Sequence, residues 1–304
     1  MNTSSMPAVT VAIATADRQE ALERCLHSLA EGATLPTEVV VVDQSTGDAT
    51  RAVADASLLH VTYLRDSGLG LGRAQNLAFA AASCPVVAVL DDDCVADERW
   101  VSTIATTFAE DPDLSGLAGR VLPLEPAPPG TVAISTRPST VKRTFGFTLE
   151  PWNVGSGNNF AISSEWFDRI GGCDERLGPG AAGRGAVDMD LFYRLLREGG
   201  RMVYEPSAIV FHEMKRRRER VTRRSAYGYG MGAAAVLRRR DPDPRAFAML
   251  RTWVRYRLRL LGRAVAERRL RSVHEELLVL GGTARGVVFG LRQGRATPHQ
   301  EPAR

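Results

Sequence analysis

Cysteine is scarce in this sequence, and its placement excludes a disulfide framework. Four cysteines among 304 residues, Cys25, Cys84, Cys94 and Cys173, lie apart without the paired spacing of a zinc or disulfide motif. They fit reduced thiols. Cys94 directly follows three aspartates and reads as a packing residue. Also missing is any apolar run of roughly 18 residues, the length a helix needs to span a bilayer. The polar start Met1–Pro7 passes straight into strand-like sequence at Ala8 and leaves no room for a secretory leader, so the expected location is the cytoplasm. Aromatic residues make up only 7% of the chain. They do not interleave with the basic clusters in any nucleic-acid motif, and nucleic acid is therefore not the expected partner.

What is present is an uneven charge. Residues 213–304 hold 23 Lys+Arg against 8 Asp+Glu, whereas the rest of the chain holds 16 against 27. The two parts are built for different surroundings.

The acidic part is organised around Val86–Leu90, an apolar β-branched run that ends in Asp91, Asp92 and Asp93. Such a run suits a strand buried on both faces of a parallel sheet, and ligands bind at the carboxyl ends of those strands. Three adjacent carboxylates repel one another unless a cation or donors offset their charge. Oxygen ligands suit Mg²⁺ or Mn²⁺ with open positions for phosphate oxygens. The apolar stretches at 9–14, 38–42 and 60–64 alternate with helical patterns before this strand, which predicts a doubly wound α/β sheet. Gly68 to Gly72 departs from the dinucleotide fingerprint, because its third glycine falls on Arg73. Beyond a strand at 117–122, residues 123–150 read as a long binding or lid loop. Order resumes at Gly155, a Gly-rich stretch spans 178–185, and a helix follows at 187–198. A strand pair at 202–204 and 208–211 closes the core at His212.

Several segments, in order, carry a family resemblance: Ala14 to Arg18, Val42 to Ser45, Gly72 to Asn76, the three aspartates, Gly157 to Ile162, Gly171 to Leu177, Asp188 to Leu191 with Arg194, and Pro206 to His212. Over roughly residues 8–215 the chain resembles the family 2 glycosyltransferases of the GT-A fold. Two positions depart from the pattern: Asp17 stands where the family often has Asn, and Val187 where an acidic residue commonly precedes the catalytic aspartate. The resemblance implies a catalytic domain over 1–212, with a donor half at about 8–122 and an acceptor half at about 150–212, followed by a basic helical extension over 213–304.

It also implies an inverting transfer from a nucleotide-sugar donor to a hydroxyl of a saccharide or lipid-linked acceptor. By resemblance, Asp93 holds the divalent cation, Asp91 and Asp92 contact the ribose, donor sugar or metal shell, and His212 completes the metal site or touches the diphosphate. Asp188 is the base that takes the acceptor proton, at a helix amino terminus that favours its ionised form. Asp43 contacts the nucleobase, Thr15 and Arg18 wrap the nucleotide, and Arg73 neutralises phosphate. Trp152 and Trp166 are candidates to stack on acceptor sugar rings. A sugar-nucleotide nucleotidyltransferase and a non-catalytic binding protein of the same fold are the alternatives. Nucleotidyl transfer is disfavoured because Thr15 to Arg18 stands where a Gly-rich basic loop would be required.

In the extension, Phe247, Leu250, Val254, Leu258, Leu261 and Val265 follow helical spacing beside a stripe of Arg251, Arg255, Arg259 and Arg263. A second apolar stretch, 277–291, is broken by Arg285. With Lys215 to Arg218 and Arg238 to Arg240, this pattern suits an anionic membrane surface at the inner face. A cap on the core and an oligomer interface stay open as alternatives.

Overall fold

The computed structural model describes residues 6–240 and 243–293. By contact clustering the chain forms two compact units, one of Met1–Glu175 with Val187–Arg220 and one of Arg176–Ala186 with Val221–Arg304. The Gly-rich segment 176–186, assigned from sequence to the acceptor half, thus groups with the helices. Residues 213–220 group with the α/β unit.

In the α/β unit, strands and helices alternate: β1 (Val9–Thr15), α1 (Gln19–Ala30), β2 (Glu38–Asp43), α2 (Ala49–Asp55), β3 (Val61–Arg65), α3 (Leu71–Ala81) and β4 (Val86–Leu90). Next come β5 (Cys94–Ala96), α4 (Trp100–Glu110), β6 (Gly116–Pro123), β7 (Thr131–Val132) and β8 (Arg143–Phe145). The unit ends with β9 (Asn159–Ser163), α5 (Ser164–Arg169), α6 (Val187–Arg197), β10 (Met202–His212) and β11 (Lys215–Arg216). Every residue of β2 and β4 is buried, as the β-branched runs require of strands covered on both faces. α1 turns Leu22, Cys25, Leu26 and Leu29 inward.

The main sheet runs β3-β2-β1-β4-β9-β6-β10-β5, with β8 beside β10. β3, β2, β1 and β4 are mutually parallel, whereas β9 is antiparallel to both β4 and β6. The sheet is therefore mixed. The loop expected over 123–150 contains β7 and β8, each short.

The strand pair expected at 202–204 and 208–211 is one strand, β10, whose pairing with β6 shifts register between Glu205 and Ile209. Pro206 lies inside that shift, where its missing N–H costs no ladder bond. Asn159 bridges the irregularity. Its amide nitrogen donates to the Arg120 and Ala208 carbonyls, each at 2.9 Å, and its oxygen accepts from Trp100 Nε1 at 2.9 Å. Asn159→Ala would leave three buried groups unpaired, and an expected loss on the order of 3 kcal/mol is checked by thermal unfolding.

The helical unit comprises the segment 176–186 and α7 (Arg217–Arg240) from Val221 onward, followed by α8 (Ala246–Ala266) and α9 (Leu270–Gln293). α9 runs through Arg285, the charged residue that interrupts its apolar stretch. Among the described residues no helix is long and apolar enough to cross a membrane. α8 buries Met249 and Trp253. It leaves Phe247, Leu258 and Val265 exposed beside the exposed arginines 251, 255, 259 and 263. The side chains of Arg239 and Arg240, part of the expected basic cluster, lie outside the described residues.

Candidate donor and acceptor site

Strand pairing brings the sequence candidates together. β5 runs antiparallel to β10 with Cys94 opposite His212, so the imidazole arrives beside Asp93. The pair Leu90–Asn159 sets Asn158 next to the end of β4, and Cys94 Sγ lies 3.9 Å from the Asn158 carbonyl. One residue earlier, Gly157 packs so closely on the Asp188 carboxylate that a Cβ there would meet Oδ2 at 2.7 Å. Gly72 similarly admits the Asp174 carbonyl and Val187 at the start of α6.

Asp93 is the electrostatic centre. Its Oδ2 lies 3.0 Å from Arg18 Nη1 and 2.8 Å from Lys215 Nζ, while Oδ1 lies 3.3 Å from His212 Nε2. Burial alone would raise this carboxyl, but His212, Lys215 and Arg18 together hold it far below the usual carboxylate range. Its neighbours behave oppositely. Burial, reinforced by the Asp93 charge, lifts Asp91 to about 7. Burial also lifts Asp92 to about 6, against the opposing pull of Arg18, whose Nη1 is 3.0 Å from Asp92 Oδ1. Burial pulls the Arg18 guanidinium down, and Asp92, Asp93 and Asp91 more than offset it.

Several buried polar atoms here lack a hydrogen-bond partner: Thr15 Oγ1, Asp93 Oδ1, both His212 nitrogens and the whole Asn158 amide. Orphans this concentrated are expensive unless a ligand completes them. Among the described residues, ligand atoms of Asp93, Cys94 and His212 lie within 4.8 Å of one another. Burial and the surrounding aspartates push the Cys94 thiol well above its ordinary value, and a soft sulfur suits Mg²⁺ or Mn²⁺ less well than oxygen or imidazole ligands. A carboxylate oxygen and an imidazole nitrogen fit a divalent cation. Asp91, named with them from the sequence, stands outside that cluster, because the chain turns between the two residues, with Cys94 N–H donating to the Asp91 carbonyl.

Other candidates take different places from those expected. Asp43 is fully buried, and its carboxylate accepts from Tyr63 O–H at 2.6 Å, Arg65 at 3.0 Å and Ser45 N–H at 2.8 Å. These bonds anchor the loop after β2. Arg73 is held by Asp66, with Nε 2.9 Å from Oδ2 and Nη2 3.1 Å from Oδ1. This pairing draws the Asp66 carboxyl below its ordinary value and occupies the guanidinium that was expected to meet phosphate. Arg73→Gln is expected to lower the unfolding temperature while leaving the donor KM unchanged, a split that steady-state kinetics and melting would read. Trp152 is buried and offers no exposed face to a sugar, while Trp166 lies under Arg169 at 4.6 Å.

Asp188 stands in the first turn of α6 as expected, and burial there outweighs the pull of the helix amino terminus. Burial raises its pKa, against the backbone N–H groups of Met189, Asp188 and Gly157 that pull it down. Asp190, two residues on, is committed to Arg194 at 2.8 Å. Two participants escaped sequence reasoning. Lys215 looked like part of a membrane-facing basic run, yet its ammonium is drawn in onto Asp93 and Glu213. Asp66 carried no signal beyond its place at the end of β3.

The family model described as Glycosyl transferase family 2 matches residues 10–170. The chain is 28% identical over 251 residues to the pre-mycofactocin glycosyltransferase of Mycobacterium tuberculosis, covering 78% of this chain and 49% of that protein. It thus spans about half the length of that curated relative. It is 24% identical over 311 residues to the glucosyl-dolichyl phosphate glucuronosyltransferase of Haloferax volcanii, with 96% of each chain covered. Among solved structures, a mannosyltransferase from Pyrobaculum calidifontis in complex with GDP-Man and Mn²⁺ aligns with a TM-score of 0.62 at 18% identity, over 95% of this chain and 88% of that one. The fold is that of these GT-A enzymes.

Proposed function

The chain belongs to glycosyl transferase family 2, and from that premise we propose that it transfers a sugar, with inversion, from a nucleoside-diphosphate donor to an acceptor hydroxyl. The observation that carries this reading is the pair Asp93 Oδ1 and His212 Nε2, buried 3.3 Å apart just beyond the carboxyl end of β4, with the Gly157–Asp188 contact next to the start of β9, which pairs with β4. Asp93 and His212 would hold Mg²⁺ or Mn²⁺. When bound, the cation supplies positive charge for the leaving diphosphate.

The chain's own groups account for the rest. Arg18 and Lys215, now on Asp93 Oδ2, are the cations positioned to meet phosphate oxygens. The acceptor oxygen attacks the anomeric carbon, the bond from that carbon to the diphosphate oxygen breaks with its electron pair, and the acceptor proton passes to the Asp188 carboxylate. A carboxylate made more basic by burial is better matched to that proton.

A saccharide or lipid-linked acceptor is supported by the Haloferax volcanii relative, whose name specifies a dolichyl phosphate-linked glucose and which aligns along 96% of both chains. Placement on an anionic membrane surface is supported by α8, where exposed arginines flank exposed Phe247, Leu258 and Val265.

The test is a thermal-shift panel with UDP-, GDP- and dTDP-sugars, each with Mn²⁺, Mg²⁺ or EDTA, on the wild type and Asp93→Ala. Stabilisation by one nucleotide that needs metal and disappears in the variant is expected, and it would select the donor for acceptor screening. No response to any nucleotide with metal would overturn the donor site.

A further inference from the structure

The helical unit contains a cavity of about 430 Å³ that no part of the transfer chemistry uses. Its position follows from the glycines of α7 and α9. Gly228 faces the Val279 carbonyl, Gly232 the Thr283 carbonyl and Gly286 the Tyr229 carbonyl, each so close that a Cβ could not be accommodated. Backbone therefore meets backbone along the seam, and the side chains beside it become the walls of a hollow. The segment 176–186 closes one side, pinned where the Gly185 carbonyl lies against Gly230. The Gly-rich stretch is thus a packed wall rather than a free loop.

Two guanidiniums line this cavity, Arg184 and Arg285. Arg184 is held at a positive φ of 63° and lies over the Tyr229 ring, 5.2 Å from its centroid. Arg285 Nη2 is 3.4 Å from Ser225 Oγ. Neither has a carboxylate within ion-pair distance among the described residues. Arginines elsewhere in this unit do pair: Arg224 meets Glu275 and Glu276, and Arg257 meets Glu276. Two uncompensated guanidiniums on one concave surface favour an anion, and their planar donor forks match phosphate oxygens. A non-glycine residue kept in the left-handed region is a strained position of the kind that gathers at ligand sites. Val221 and Leu278 supply apolar wall.

We propose that this cavity binds a phosphate group, with Arg184 and Arg285 clamping its oxygens and Val221 and Leu278 lying along an attached apolar chain. The site needs neither nucleotide nor metal, so it stands or falls separately from the donor site.

The experiment is calorimetric titration of the full chain in EDTA at about 0.15 M salt with inorganic phosphate, farnesyl phosphate below its micellar range, and farnesol. Farnesyl phosphate is expected to bind, inorganic phosphate to bind more weakly, and farnesol not to bind. Arg184→Gln and Arg285→Gln, both at exposed side chains, should each weaken phosphate binding by at least about tenfold. The double variant Arg251→Gln/Arg255→Gln on α8 should leave it unchanged. Equal affinity for inorganic and farnesyl phosphate, still dependent on both arginines, would support the phosphate clamp with a free phosphate compound as its source. Absence of binding by either phosphate probe would overturn the proposal. So would undiminished binding in the Arg184 and Arg285 variants, or an equal loss in the α8 variant.

Discussion

Replacing Asp188 by Asn is expected to lower sugar transfer by about 10²- to 10⁴-fold with nucleotide binding unchanged. The exchange keeps the shape that fits against Gly157, and the remaining amide oxygen can still accept from the N–H groups at the start of α6. What is lost is the ability to take a proton. Asn caps a helix about as well as Asp, so a purely structural Asp188 would leave activity nearly intact. Stability provides a second readout. Because burial raises the folded pKa of Asp188, the folded state holds its proton more tightly than the unfolded chain does. This group's contribution therefore falls as pH rises through that interval, and at neutral pH the Asn variant should be as stable as the wild type or more so. The base must also be ionised to act. The acid limb of the wild-type rate profile should accordingly lie above the value of about 3.9 for a solvated aspartate and vanish in the variant. Transfer retained within a few fold by Asp188→Asn, measured as initial rates beside nucleotide affinity, would remove it as the base.

Asp93→Ala carries the second large expectation: transfer lower by at least about 10³-fold, since a bound cation contributes several kcal/mol and each 1.4 kcal/mol is tenfold. Metal-dependent stabilisation by nucleotide should disappear with it. The reason is local: Asp93 is the carboxylate facing His212 Nε2 through one oxygen while Arg18 and Lys215 occupy the other. Without it, two cations are left together with less negative charge to offset them, and the unfolding temperature without metal should fall as well. A variant that still gains stability from nucleotide with Mn²⁺, and loses that gain in EDTA, would show that another group holds the cation. Asp91, whose carboxyl is already raised to about 7, would then be the next residue to change.

Much of this site was legible in residue order. The run Val86–Leu90 before three aspartates reads as a buried strand with its acids at the carboxyl end, because its composition follows from burial on two faces. The amphipathic pattern of α1 and the place of Asp188 in its helix were legible for the same reason. Lys215 was not. A basic tetrapeptide at a strand end has no local preference for solvent over a carboxylate, and its inward course depends on β11 pairing with β7. The intramolecular partners of Asp43 and Arg73 were not legible either, because Tyr63 with Arg65 and Asp66 lie on the neighbouring β3 and just beyond it.

The sequence by itself determined the alternation of strands and helices, the acidic end of β4 and the division between an acidic part and a basic one, which rest on short-range periodicity and composition, while the order of its motifs carried the resemblance to the family. The tertiary structure alone decided which oxygen of Asp93 is engaged by cations and which faces His212. It also decided that Asp188 is raised rather than lowered, that β10 is one strand with a register shift, and that Arg184 and Arg285 share a cavity. Each of these depends on groups far apart in the chain meeting at ångström separation, and burial and Coulomb interaction act through that separation.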